Sequence, residues 1–158
     1  MAIRPARGGP RNRRAGERGA DGGRVPRVTA GPVDGLENPG VVQSLVIDGW
    51  HPSTLNQLMG CHWGKAARMK RADRETVWAA ALMQHVTRAE GRRRVDLVID
   101  VERGQRRPDR DAWWKSTLDA LVGAGLLVDD GPRWCVPGSV SYRRTGRRRT
   151  AIVLTDLG

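Results

Sequence analysis

The sequence predicts a small single α+β domain with two main helices over residues 41–158, preceded by a disordered basic arm at residues 1–40. Three observations carry that expectation. Apolar side chains recur at helical spacing in two stretches, residues 65–90 and 112–123. Strict alternation in Val95, Leu97, Ile99 and Val101 marks a strand between them. Residues 1–40 hold nine glycines, five prolines and eight arginines, too few apolar groups to offset the entropy of ordering them.

Each element follows from its residues. Residues 41–50 form a short β-branched apolar run, read as the first strand, which His51-Pro52-Ser53-Thr54 breaks. The long helix, residues 65–90, carries Val77, Trp78, Ala81, Leu82, His85 and Val86 on one stripe, and Gly91 is its expected stop. After the strand at 95–101 comes a polar turn at 104–108, then the second helix at 112–123. There Trp114, Leu118, Leu121 and Val122 form the core-facing stripe. Residues 126–128 are a short apolar stretch. Residues 134–142 and 149–155 read as a closing hairpin turned at Thr145-Gly146.

The 158 residues suit one domain, and none of their apolar runs approaches the roughly 20 residues of a membrane span. Neither a secretory signal nor a disulfide scaffold is expected, with Cys61 and Cys135 the only cysteines, so the reading is cytoplasmic and reducing. Basic residues outnumber acidic ones 28 to 17, for a net charge of +11, which points to a polyanionic partner.

Within that basic chain one acidic segment stands apart: Arg107-Pro108-Asp109-Arg110-Asp111-Ala112-Trp113-Trp114-Lys115, followed by Asp119 and Asp129-Asp130. Asp109 and Asp111, two apart, project to one side of an extended backbone. Asp111 is the expected N-cap of the second helix, with Lys115 one turn above it. Carboxylates repel DNA phosphates unless a hard cation bridges them. Mg²⁺, bound by oxygen ligands, would do so, and a lysine would offset charge in the transition state of a phosphodiester cleavage. The alternative stays open at this level: an N-cap beside a turn residue, and an ordinary Asp-Asp-Gly-Pro turn.

The run Pro108-Asp109-Arg110-Asp111-x-x-x-Lys115-x-x-x-Asp119-Ala120-Leu121, then Ala124-Gly125-Leu126 and Asp129-Asp130, resembles the signature of the RusA family of Holliday junction resolvases. That signature reads P-D-x-D-N-x-x-K-x-x-x-D-A-L, then A-G and D-D. Pro52-Ser53-x-x-Asn56 and the basic stretch from His62 to Arg71 resemble the family's opening more loosely, so the similarity covers about residues 45–157. The resemblance implies a mixed β-sheet and a homodimer that uses Mg²⁺ to cut a four-way DNA junction, with no small-molecule cofactor. It implies Asp109, Asp111 and Asp130 as metal ligands and Lys115 as the catalytic lysine. Ala112 stands where the family has asparagine, so a junction- or DNA-binding protein without cleavage is the alternative. A basic RNA-binding protein would explain the charge but not the aspartates.

Other residues carry narrower expectations. Lys65, Arg68, Lys70, Arg71, Arg106, Arg107, Arg110, Arg143, Arg144 and Arg147, with Arg148 and Arg149 beside them, suit phosphate contacts. Asp119, about 12 Å along the helix from Asp111, is expected to pair with Lys115 rather than share a metal. Asp96 and Asp100 read as solvated acids on the strand's polar face, and Trp113 as an aromatic turned away from the core. His51, His62, Cys61 and Cys135 lack zinc-ligand spacing.

Overall fold

The computed structural model describes residues 40–104 and 107–158, so the arm at 1–40 (except Gly40) and Arg106 lie outside the described residues. The elements are β1 (Val42–Asp48), α1 (Leu55–Met59), α2 (Trp63–Met83), β2 (Arg92–Val101), a 3₁₀ turn (Arg110–Trp113), α3 (Trp114–Gly123), β3 (Cys135–Arg144) and β4 (Arg149–Leu157). They form the expected small α+β domain, with a mixed four-stranded sheet in the order β1-β4-β2-β3. β2 runs parallel to β3 and antiparallel to β4, and β1 closes the far side antiparallel to β4.

That order corrects the expected terminal hairpin: β3 and β4 do not pair, because β2 lies between them. The reason is burial. Val95, Leu97, Ile99 and Val101 face the helices, and on β2's other face Asp96, Val98 and Asp100 are buried too. A strand buried on both faces belongs in the middle of a sheet. Asp100, 1% exposed, fixes the arrangement: it pairs with Arg149 across β4 and with Arg143 across β3, accepting from Arg143 Nε at 2.7 Å and Arg149 Nε at 2.8 Å. Asp96 and Asp100 are therefore not solvated acids. Burial would raise the Asp96 carboxyl, but Arg94 and the Ser139 amide and hydroxyl outweigh it and hold it below its ordinary value. Ser139 reaches Asp96 because β3 bulges between the Val95 and Leu97 positions, next to Pro137. Gly138 sits in that bulge, where a Cβ would run into the Asp96 carboxylate.

One face of the sheet is covered by α2 and α3. Leu45, Ile47, Leu97, Ile99, Ile152 and Leu154 pack there against Val77, Ala81, Leu118 and Leu121. α2 ends at Met83, short of the expected residue 90, and Gly91 does not stop it. His85 adopts a left-handed φ of 54°, and the Val86 N–H closes back on the Ala81 carbonyl. The following chain has other partners: Gln84 brackets Val46 of the edge strand, accepting from its N–H and donating to its carbonyl. Buried Arg93 donates to the carbonyls of Thr87, Arg88 and Leu126 and pairs with Asp156 at 2.5 Å. α1, not anticipated, is set by a capping box in which Thr54 and Gln57 bond each other's backbone N–H.

Removing the carboxylate that joins β3, β2 and β4 leaves two guanidiniums facing each other. Asp100→Ala is expected to cost about 3–5 kcal/mol of folding stability, read from urea unfolding midpoints, whereas a loss under about 1 kcal/mol would show that the triad does not hold the sheet.

Candidate active site

The acidic segment begins after the polar turn and is fixed by an aromatic relay. Trp113, expected to point away from the core, is 4% exposed and belongs to it. Its Nε1 donates to Tyr142 Oη at 2.8 Å, and Tyr142 in turn donates to the Pro108 carbonyl at 2.8 Å. Trp114 is only half-buried, because the 3₁₀ turn rotates the pair relative to a continuous helix. The same turn overturns the capping role given to Asp111. Asp111 lies inside the turn, Asp109 precedes it in extended conformation without a side-chain cap bond, and α3 has no side-chain cap. Both carboxylates are exposed and, among the described residues, neither has a hydrogen-bond or salt-bridge partner.

The closing pair divides its work. Asp129 Oδ1 accepts from the Gly131 N–H at 2.7 Å and makes the turn. Asp130 faces α3 instead, with Oδ2 3.2 Å from Lys115 Nζ. Asp119 completes the group, 2.8 Å from Lys115 and 3.2 Å from Lys70. Its hydrogen bonds to Asp119, then to Asp130, raise the Lys115 ammonium above its ordinary value. Burial would raise Asp119, but Lys115 and Lys70 pull it below its ordinary value.

Two clefts border this region. One, of about 530 Å³, is lined by His51, Asn56, Gln57, Arg107, Asp109 and Arg148, with Ala112 at its wall. The other, of about 510 Å³, lies between α2 and α3 and takes in Lys70, Arg71, Arg74, Lys115, Asp119 and Asp130. Asp109 and the Lys115–Asp130 pair thus open onto different clefts. Among the described residues, no three His, Cys, Asp or Glu side chains stand together as an ion-binding group. The donor chemistry nonetheless suits Mg²⁺, which commonly takes one or two carboxylates and completes its shell with water and substrate phosphate. Of the two unpartnered acids, Asp109 lines the first cleft and Asp111 neither of the two, and because Asp111 sits in the 3₁₀ turn the backbone is not extended through both, contrary to the sequence expectation.

Of the cations expected at phosphates, Arg143 and Arg149 are committed to Asp100, Lys70 to Asp119 and Arg71 to Glu75. Lys65, Arg68, Arg110, Arg144, Arg147 and Arg148 are exposed without a carboxylate partner among the described residues, and Arg107 lies 5.8 Å over the Tyr142 ring.

His51, weighed in sequence only as a zinc ligand, lines the first cleft. Its Nε2 donates to the Asp100 carbonyl at 2.8 Å, and its ring stands edge-on to Trp113. Buried Asp73 holds the neighbouring chain by accepting from Trp50 Nε1 and the Ser53 N–H, each at 3.0 Å. No spacing rule marks His51 or Asp73, because their partners lie on other elements. Neither a family model nor any curated protein sequence matches the chain.

Burial pushes the His51 imidazole below its ordinary value; the Asp100 carbonyl opposes this and the Arg148 charge adds to it. The folded state therefore favours the neutral ring, and the stability it contributes is present above about pH 6.5 and lost as the pH falls below it. Unfolding free energies at pH 7.5 and 5.5 should show a smaller acid loss for His51→Gln than for wild type. Equal losses would mean that His51 is not the titrating group.

Proposed function

We propose that the chain is a Mg²⁺-dependent, structure-selective endonuclease of the RusA type, which resolves four-way DNA junctions by paired phosphodiester hydrolysis. The observation that carries this reading is the state of Asp109 and Asp111. In a protein of net charge +11, two exposed carboxylates stand on a turn fixed by Trp113 and Tyr142, neither capping a helix nor paired with an arginine among the described residues. The bland alternative, a cap beside a turn residue, predicts bonds that are absent at both positions.

On this reading Asp109, Asp111 and Asp130 would hold the ion, although Asp130 opens onto the second cleft and Asp109 onto the first. The chemistry such an ion would supply is neutralisation of phosphate charge and activation of a water molecule. Lys115, kept protonated by Asp119 and Asp130, sits beside the third carboxylate to stabilise charge developing on the phosphate. Arg107 and Arg148 in the first cleft, and Arg74 in the second, suit the strand's phosphates on either side, whereas Lys70 and Arg71 would first have to release Asp119 and Glu75. A homodimer would present two such sites to a two-fold junction. A reducing, cytoplasmic setting agrees with the free thiols of Cys61 and Cys135, and among the described residues no helix is long and apolar enough to cross a membrane.

One observation favours a second reading, a junction-binding protein without cleavage. Ala112 lines the cleft beside Asp109, where its methyl group can neither hold a metal-bound water nor orient a carboxylate.

Incubation with a labelled synthetic four-way junction separates the two. Wild type is expected to give paired nicks with Mg²⁺ and none with EDTA, whereas a shifted but intact junction supports the second reading. Asp109→Asn, Asp111→Asn and Asp130→Asn should each abolish nicking while binding the junction equally or more tightly, since each deletes a ligand and a negative charge. Near-normal nicking by any of them removes that residue from the ligand set. Ala112→Asn should raise the cleavage rate by about 10–100-fold if the asparagine orients the ion's surroundings. No gain would show that alanine leaves the site complete.

A further inference from the structure

The acidic residues stop at Asp48 and resume only at Asp73. The stretch between them ends in the first half of α2, whose first residue is Trp63. Its ring is 77% exposed, in contrast to the buried and hydrogen-bonded Trp113. His62 caps the helix by accepting from the Gly64 N–H, and its ring lies 5.5 Å from that of Trp63. Trp63, Ala67, Lys70, Arg71 and Arg74 follow one another at i, i+4, i+7, i+8 and i+11, a single stripe of the helix. The last four line the cleft that holds Lys115 and Asp130.

The direction of the helices places Trp63 relative to the acids. Lys70 bonds Asp119, and four residues further along each helix Arg74 lies against Gly123, so α2 and α3 run the same way. Seven residues back from Lys70 is Trp63 (70 − 7), and seven back from Asp119 is Ala112 (119 − 7), between Asp111 and Trp113. The exposed indole thus stands at the end of the groove nearest the acidic turn.

A protein partner would use the apolar ring but has no need of the basic stripe behind it. Duplex DNA would use the cations but presents no free base face. A strand with an unpaired base uses both. We propose that Trp63 is a stacking platform for an unpaired nucleobase at the mouth of the α2–α3 groove, with the strand's phosphates running on past Lys115 to Arg74, which has no carboxylate partner among the described residues, and displacing the carboxylate partners of Lys70 and Arg71. The inference deepens the endonuclease reading by naming the part of the substrate recognised, a single-stranded or unstacked nucleotide beside the cut.

The test uses the full chain and three labelled ligands: an oligothymidylate of about 12 nucleotides, an abasic strand of the same length, and a matched duplex. Trp63→Leu keeps apolar bulk without a π face, and Trp63→Phe keeps a ring; the position is exposed, and melting curves confirm the fold. Trp63→Leu should weaken oligothymidylate binding by about 5–150-fold, the equivalent of about 1–3 kcal/mol per stacked base. Trp63→Phe should retain most of the affinity, and neither variant should alter binding to the abasic strand or the duplex. Equal losses on all three ligands, or none on oligothymidylate, overturn the proposal. So does a Trp63→Leu variant that changes only from dimer to monomer in sedimentation, which would assign the ring to a second copy of the chain. Junction nicking is scored separately. If wild type does not nick but the base-dependent loss is seen, the endonuclease reading fails and the platform stands. If wild type nicks and that loss is missing, the platform fails and the endonuclease reading stands.

Discussion

A carboxylate buried between two guanidiniums organises the sheet. Taking Asp100 out of water is costly, and only well-aimed opposite charges offset the cost. Arg143 and Arg149 lie at the ends of two strands separated by a four-residue connection, and both can reach the same acid only if β2 runs between them. The strand order, the parallel pairing of β2 with β3 and the course of the 145–148 connection, which the burial of β2 on both faces favours, all accommodate that contact. Asp100 also reaches the candidate site through its backbone, since its carbonyl accepts from His51.

Around that frame, polar groups position the acidic segment without using up its carboxylates. Tyr142 on β3 holds Trp113 and the Pro108 carbonyl, so the turn between them has a defined course although it is exposed. Asp73, His51 and the Thr54–Gln57 capping box set the opposite wall of the first cleft. Fixed supports beneath uncommitted charged groups are what a binding site for a charged ligand requires, since ordering is complete before the ligand arrives.

Much of this was legible in the sequence, because it is local. The alternation of β2, the Val77–Ala81 and Leu118–Leu121 cores of the two helical stripes and the Lys115–Asp119 pair all depend on residues a few positions apart, whereas Trp78 and Leu82, expected on the α2 stripe, are exposed. The Asp-Asp-Gly-Pro turn, in which Asp129 accepts from the Gly131 N–H, is equally local. The failures share the opposite character. Nothing within β2 reveals that Asp96 and Asp100 are buried, because Ser139, Arg143 and Arg149 come from 43 to 49 residues away. The end of α2 depends on Gln84 meeting Val46, and the inward turn of Trp113 depends on Tyr142. At the site, the residue types were readable, whereas the 3₁₀ turn that frees Asp111 from capping was not.

The outer margins of the sheet carry a consequence for self-association. Gln84 occupies the hydrogen-bonding groups of Val46 on the β1 side, while Pro137, which has no N–H to donate, and the bulge beside it interrupt the β3 side. Neither margin offers an unbroken backbone ladder, which disfavours edge-to-edge addition of further chains into a growing ribbon. Two copies would meet through side chains.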